Sequence, residues 1–397
     1  MYDPARHEDL IERPWYEAVA RSAIEEIVAD TYARFDRARL WPTHPLDGKE
    51  DGLTMLYFGA AGVIWTLHYL ARAGVTHTRR EFGAILPELI ERNRADFKQT
   101  PYPRSTSYLI GDVALLLLQW RLAPSRDVAN QLFNRINANT KQPVLELMWG
   151  SAGTMVAALF MAEWTGAARW QTVFREQADR LWNEWQEQRG LGCLWTQNLY
   201  GQSRQYLGPV HGFAGNVLAL LRGQELLASD KRTQLHTRVA ETLAKTAFED
   251  ANHVNWPAVW SSTHLQRPHL VQYCHGAPGM VTALAGLPCG FDPAVDRLLE
   301  KAGELTWAAG PLTKGPSLCH GTAGNGYAFL KLYCRTGNRK WLERARAFAV
   351  HAIAQCAQAR EAYGQGRYSL WTGDLGLAVY LWDCMNEQAS FPSIDIF

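Results

Sequence analysis

Neither sign of charge predominates in this sequence: 40 Lys and Arg stand against 39 Asp and Glu, a formal net charge of +1. No global field is present to recruit nucleic acid or an anionic membrane, though a local basic pocket is not excluded. Long apolar runs are missing too. The longest aliphatic stretch, 113–118, is far too short to span a bilayer, and the opening residues, MYDPARHEDLIERPWYEAV, are charged and lack an apolar signal core. Cysteine is sparse and odd in number, seven at positions 193, 274, 289, 319, 334, 356 and 384. That fits buried thiols in a reducing compartment better than a disulfide framework. Strand signals are few. These absences predict a soluble, cytoplasmic, helical chain with no nucleic-acid or membrane partner.

What is abundant is apolar residue, 47% of 397 positions with 16 tryptophans, ample for a large core, and glycine in a recurring arrangement. Small-residue turns stand at 59–62 (GAAG), 111–112 (GD, a degenerate copy), 150–153 (GSAG), 212–215 (GFAG), 276–279 (GAPG), 321–324 (GTAG) and 373–376 (GDLG). Their first glycines are 52, 39, 62, 64, 45 and 52 residues apart, room for a helical hairpin and its loops. Each turn is followed by an apolar segment, such as 155–161 or 377–382. The segments between turns, such as 169–186, 293–307 and 338–357, alternate charged and apolar residues at three- and four-residue intervals. The unit reads as an amphipathic outer helix, a loop, a glycine turn and an apolar inner helix, repeated seven times. The glycines are expected to take positive φ and to let inner helices approach closely. No polar helix follows the last unit to cap an open stack. The expected fold is therefore all-α, an α/α toroid of seven inner helices within seven outer ones. It forms one domain over 1–397, with the N-terminal segment and first outer helix in 1–58 and the repeats in 59–397. The loops 41–52, 190–209 and 254–268 read as insertions on the face where the turns open.

Two turns carry a Cys-His pair directly before Gly-x-x-Gly: Cys274-His275 and Cys319-His320. A shared register in adjacent repeats brings both thiols to one site, at the positive ends of two helices. Cys274, Cys319 and His320 make a donor set suited to Zn2+, three ligands with the fourth tetrahedral position open, as in catalytic sites. The spacing is not that of a zinc finger. His275 competes with His320 as a ligand and otherwise supports or packs beside the site. His211 precedes the fourth turn in the same way and is a candidate acid or base; the plain alternative is a histidine packed at a turn. Glu146, four residues before Gly150, is a candidate partner on the same face or an ordinary ion-paired glutamate. Lys314, five residues before Cys319, is a candidate for holding a substrate carboxylate or a solvated loop lysine. Asp112 and Asp374 read as helix caps. Cys289, Cys334, Cys356 and Cys384, outside the turn register, read as structural, and most tryptophans as core.

The stretches HGFAG (211–215), YCHGAPG (273–279) and LCHGTAGNGYAFL (318–330), with GAAG, GSAG and GDLG elsewhere, resemble the lanthionine synthetase C-like family. The likeness runs from about Gly59 to the end of the chain. Its motifs are more similar to eukaryotic-type LanC-like proteins than to many bacterial lantibiotic cyclases. The resemblance implies a seven-fold double α-toroid, a zinc held by Cys274, Cys319 and His320, and His211 as the acid/base residue. Lys314 matches a lysine associated in LanC-like proteins with glutathione binding or activity. Where lantibiotic cyclases carry a catalytic Asp, this chain has Glu146, which keeps a carboxylate but departs from the cyclase pattern. The second turn, YLIGDVAL, lacks its second glycine. The implied reaction is zinc-dependent addition of a thiol, foremost glutathione, to a dehydroalanine or dehydrobutyrine residue of a peptide or protein, giving a thioether. The alternatives are a cyclase forming intramolecular lanthionine rings, a glutathione- or peptide-binding adaptor without turnover, and a glycan-active toroid enzyme. The last would need two carboxylates among Asp112, Glu146 and Asp374.

Overall fold

The computed structural model describes all residues except 49–51, 78–79, 99–103, 189 and 261–268. Among the described residues fourteen α-helices alternate between an outer and an inner layer, the even-numbered ones being inner. In chain order they are α1 (Glu17–Ala33) and α2 (Ala60–Arg72), α3 (Leu86–Asp96) and α4 (Val113–Leu122), α5 (Arg126–Asn139) and α6 (Ser151–Thr165). There follow α7 (Ala168–Glu184) and α8 (Phe213–Arg222), α9 (Ser229–Lys245) and α10 (Ala277–Leu284), α11 (Pro293–Ala309) and α12 (Thr322–Thr336), α13 (Arg339–Tyr363) and α14 (Asp374–Asn386).

The two layers follow from the two apolar patterns. In α6 every residue from Ser151 to Ala158 is buried, whereas α7 buries Trp170, Val173, Phe174, Gln177, Ala178 and Leu181, a single stripe at helical spacing. Each inner helix contacts the next, and α14 contacts α2, so the inner ring closes; α1 packs on α14 from outside. The expected α/α toroid is the observed fold. No described helix is long and apolar enough to cross a membrane.

The turns differ from expectation in one respect. Of the complete Gly-x-x-Gly turns, only that at Gly276, with φ 105°, opens on a positive φ, while Gly59, Gly150, Gly212, Gly321 and Gly373 are extended. Crowding is the reason for glycine here. A Cβ on Gly324 would stand 1.7 Å from the Leu318 carbonyl oxygen, and one on Gly215 would stand 1.9 Å from that of Pro209. The first turn of an inner helix thus rests directly on the carbonyl six residues earlier. Backbone hydrogen bonds then join the turns. The N–H two residues before the first glycine of one turn donates to the equivalent carbonyl of the next: Tyr57 to Leu109 (3.0 Å), Leu109 to Met148 (3.4 Å), Cys274 to Cys319 (3.0 Å), Cys319 to Trp371 (2.9 Å) and Trp371 to Tyr57 (3.0 Å).

Two loops hold short strands that the sequence pattern did not reveal. They are β1 (Gln186–Gln188) with β2 (Gly192–Leu194), β3 (Gln197–Leu199) and β4 (Gln202–Tyr206) with β7 (Val259–Trp260), and β5 (Phe248–Glu249) with β6 (Val254–Asn255). Gln186, expected at a helix end, belongs to β1; residues 261–268 of the expected 254–268 insertion lie outside the described residues. The last residues of the chain fill the lumen. Phe391 stacks on Tyr273 with centroids 4.4 Å apart, and Phe397 lies against Trp65 and Phe160, at 6.1 and 5.8 Å.

Candidate active site

Reciprocal backbone hydrogen bonds of 3.0 Å between Gln272 and His275 close a tight loop that presents Tyr273 and Cys274. Cys319 is held by its own two links in the ring of turns. Cys274 Sγ, Cys319 Sγ and a ring nitrogen of His320 consequently lie within 4.8 Å of one another, the sulfurs buried and the imidazole half-buried. Among the described residues this is the sole such cluster of three candidate ligands. Two soft sulfurs and an imidazole at this separation fit a tetrahedral zinc with one position left over. His275 is not part of the cluster; its Nδ1 is buried without a hydrogen-bond partner among the described residues, and its ring lies 6.5 Å from that of His211. The hydrogen bond from Cys319 holds Cys274 well below the usual thiol value, and the same bond pushes Cys319 up. A thiolate at Cys274 is the form that suits a cation.

Two residues that sequence reasoning missed address the sulfurs. Gln272 Nε2 donates to Cys274 Sγ at 2.9 Å, and the buried Tyr57 hydroxyl faces Cys319 and favours its thiolate. Tyr57 stands two residues before its turn's first glycine, as Cys274 and Cys319 do before theirs. Register alone was a sufficient signal for it.

Glu146 is fully buried and fixed by its own turn, accepting from the N–H groups of Met148 at 3.1 Å and Trp149 at 2.5 Å. Its Oε2 also lies 2.8 Å from His211 Nδ1. Burial works to lower the His211 pKa. The hydrogen bond and charge of Glu146, with the charge of Cys274 behind them, outweigh it and hold His211 above an ordinary histidine. With Nδ1–H facing the carboxylate, Nε2 is the nitrogen left for a reacting group. Asp112 and Asp374, expected as caps, do not cap. Asp112 is clamped between Arg94 (2.7 Å) and Arg135 (2.9 Å), and Asp374 pairs with Arg360 (2.9 Å), because the outer helices bring guanidinium groups to both. Neither is a carboxylate free for glycan chemistry.

Lys314 lines a cleft of about 550 Å³ that reaches His320 and Thr372 at the turns. Of the other cations there, Arg360 is committed to Asp374 and Arg367 to Asp47, whereas Lys314 is exposed and makes no ion pair among the described residues. The N-terminal segment forms one wall. Glu8 N–H donates to the Pro311 carbonyl at 2.9 Å and Thr313 N–H to that of Arg6 at 3.1 Å, which fixes the loop carrying Lys314. The exposed Cys289 and Cys334 and the buried Cys356 and Cys384 take no part in the cluster.

The sequence pattern of the family described as lanthionine synthetase C-like protein matches residues 43–396. The chain belongs to this family. Its LanC-like relatives include a Danio rerio protein named glutathione S-transferase LANCL1, 31% identical over 225 residues, which are 54% of this chain and 50% of that one. LanC-like protein GCL1 of Arabidopsis thaliana is 36% identical over 136 residues, 33% of this chain and 31% of that one. The chain thus spans half or less of the length of these curated relatives. Among solved structures a nisin cyclase matches with a TM-score of 0.62 over 93% of this chain and 94% of its own. At 16% identity that likeness shows the toroid fold.

Proposed function

We propose that this LanC-like chain adds a thiol, with glutathione as that thiol, to a dehydroalanine or dehydrobutyrine residue of a peptide or protein. The observation that carries the reading is the meeting of the Cys274, Cys319 and His320 cluster with the hydrogen-bonded Glu146 and His211 at one end of the toroid. The Lys314 cleft beside it suits an anionic thiol, and one relative's name, glutathione S-transferase, points the same way. Zinc held by the two cysteines and His320 would supply Lewis acidity that brings a thiol's pKa toward neutrality.

The chain's own residues supply the rest. Lys314 anchors a carboxylate of the thiol substrate, and the buried walls around the cysteines exclude water. The thiol sulfur bonds to the β-carbon, the double-bond pair moves toward the α-carbon and its carbonyl, and the α-carbon takes a proton from His211 Nε2. His211 is reprotonated by the proton that the next thiol releases, so the cycle is redox-neutral. Glu146 holds the ring in place and favours the charged imidazole that donates.

The test is mass spectrometry of a dehydroalanine peptide incubated with glutathione and the zinc-loaded chain. Wild type is expected to add one glutathione, His211→Ala to slow addition about 10²-fold or more, and Cys319→Ala to lose zinc and adduct together. A zinc-replete wild type that forms no adduct sinks the reading. Ring closure in a peptide bearing its own cysteine would then move the assignment to an intramolecular cyclase.

A further inference from the structure

A second cavity, of about 330 Å³, opens at the third turn. In the order of the turns, His211 and His275 come between it and the Lys314 cleft, which His320 lines. The cavity lies between the loop that carries Glu146 and the β3–β4 hairpin. Gln197 ties the two together: its Oε1 accepts from Leu145 N–H at 2.8 Å and its Nε2 donates to the Leu145 carbonyl. At the hairpin tip Tyr200 and Gly201 have φ of 53° and 74°, a turn that places a non-glycine residue in the left-handed region. Tyr200 is 66% exposed, and its ring meets that of His211 edge-on at 5.9 Å.

The described lining carries no charged side chain. Gln142, Asn198, Gln202 and Ser203 contribute amides and a hydroxyl, Trp149 and Tyr200 aromatic faces. Gln142 is 1% exposed, yet its Oε1 has no hydrogen-bond partner among the described residues, an acceptor that is costly to bury unless a ligand N–H completes it. Glutathione, with two carboxylates, finds no cation here. An uncharged backbone offering alternating N–H and C=O groups matches the amides, and a planar dehydro residue matches the aromatic faces.

We infer that this cavity holds the neutral peptide segment bearing the dehydro residue, with Gln142 accepting a backbone N–H and Tyr200 packing the segment against His211. The inference rests on the thiol-addition reading for the identity of its occupant. Its test is calorimetric titration of the zinc-loaded full chain with a capped neutral heptapeptide carrying central dehydroalanine, without thiol. The variants are Gln142→Leu and Tyr200→Gly, the latter keeping the left-handed turn. Each is expected to weaken peptide binding about tenfold, with zinc content and glutathione binding at wild-type levels. Unchanged peptide affinity in both variants, or no peptide binding by wild type, overturns the inference. Peptide binding that responds as expected without any adduct would sink the thiol-addition reading and leave the cavity assigned. Adduct formation with an unchanged peptide KM in both variants would do the reverse.

Discussion

Tyr57 shows how register carries chemistry at the scale of single residues. Its hydroxyl faces Cys319 because three turns present the same position to one point. Tyr57→Phe removes that donor and keeps the ring stacked on Trp371. Zinc affinity, read by chelator competition, is expected to fall by about 10- to 100-fold; unchanged affinity would make Tyr57 a packing residue. Glu146→Gln addresses the proton. His211 lies above its ordinary value, so its pairing with Glu146 stabilises the fold fully below about pH 6.5, and that contribution is lost as pH rises through the native value. Without the carboxylate's charge, burial dominates and the His211 pKa falls. The alkaline limb of the pH–rate profile is expected to move to lower pH, with a loss of about 10²-fold at neutral pH. An unmoved limb would remove His211 from the proton transfer. The three candidate ligands and this pair were legible because all sit in or beside Gly-x-x-Gly turns. Gln272 was not, since an amide two residues before Cys274 signals nothing until the loop folds it back onto the sulfur.

The inner helices draw their close packing from carbonyls rather than from unusual backbone. Gly324→Ala would drive a methyl into the Leu318 carbonyl, whereas Gly364→Ala, at the end of α13 with φ 67°, meets nothing within 4 Å. The first is expected to cost about 3 kcal/mol by displacing the start of α12, and the second about 1 kcal/mol of backbone strain. Urea unfolding of the two variants checks the difference, and equal costs would return the turns to a φ argument. The second repeat carries Ala114 where other repeats have this glycine, and there Asp112 is held by Arg94 and Arg135. Glycine spacing made the helices and their order readable. It could not show why glycine was needed, because the crowding depends on how each preceding loop doubles back. Strands of two to five residues are too short to leave an alternating pattern.

Over the whole molecule, closure was legible and the filling of the lumen was not. The stretch FPSIDIF has no helical period, yet Phe391 touches Tyr273, Tyr327 and Trp371 beneath the cysteines. Phe391→Ala is expected to cost about 3–5 kcal/mol and to weaken zinc binding through Tyr273, the neighbour of Cys274. A stability loss with zinc affinity intact would confine the lumen residues to the fold. The ring of turn-to-turn hydrogen bonds has five links for seven turns. The missing two, among the described residues, flank Val210, and there Met148 N–H donates to Glu146 instead. A clasp fastened at five joints flexes at the other two. Deuterium uptake should be slowest at the amides of Cys274, Cys319 and Trp371 and faster around Val210 and His211, and uniform uptake would deny the distinction. On the proposed function, the five fastened joints would keep the two sulfurs at a fixed separation, and the open seam is where a peptide would thread in and leave again.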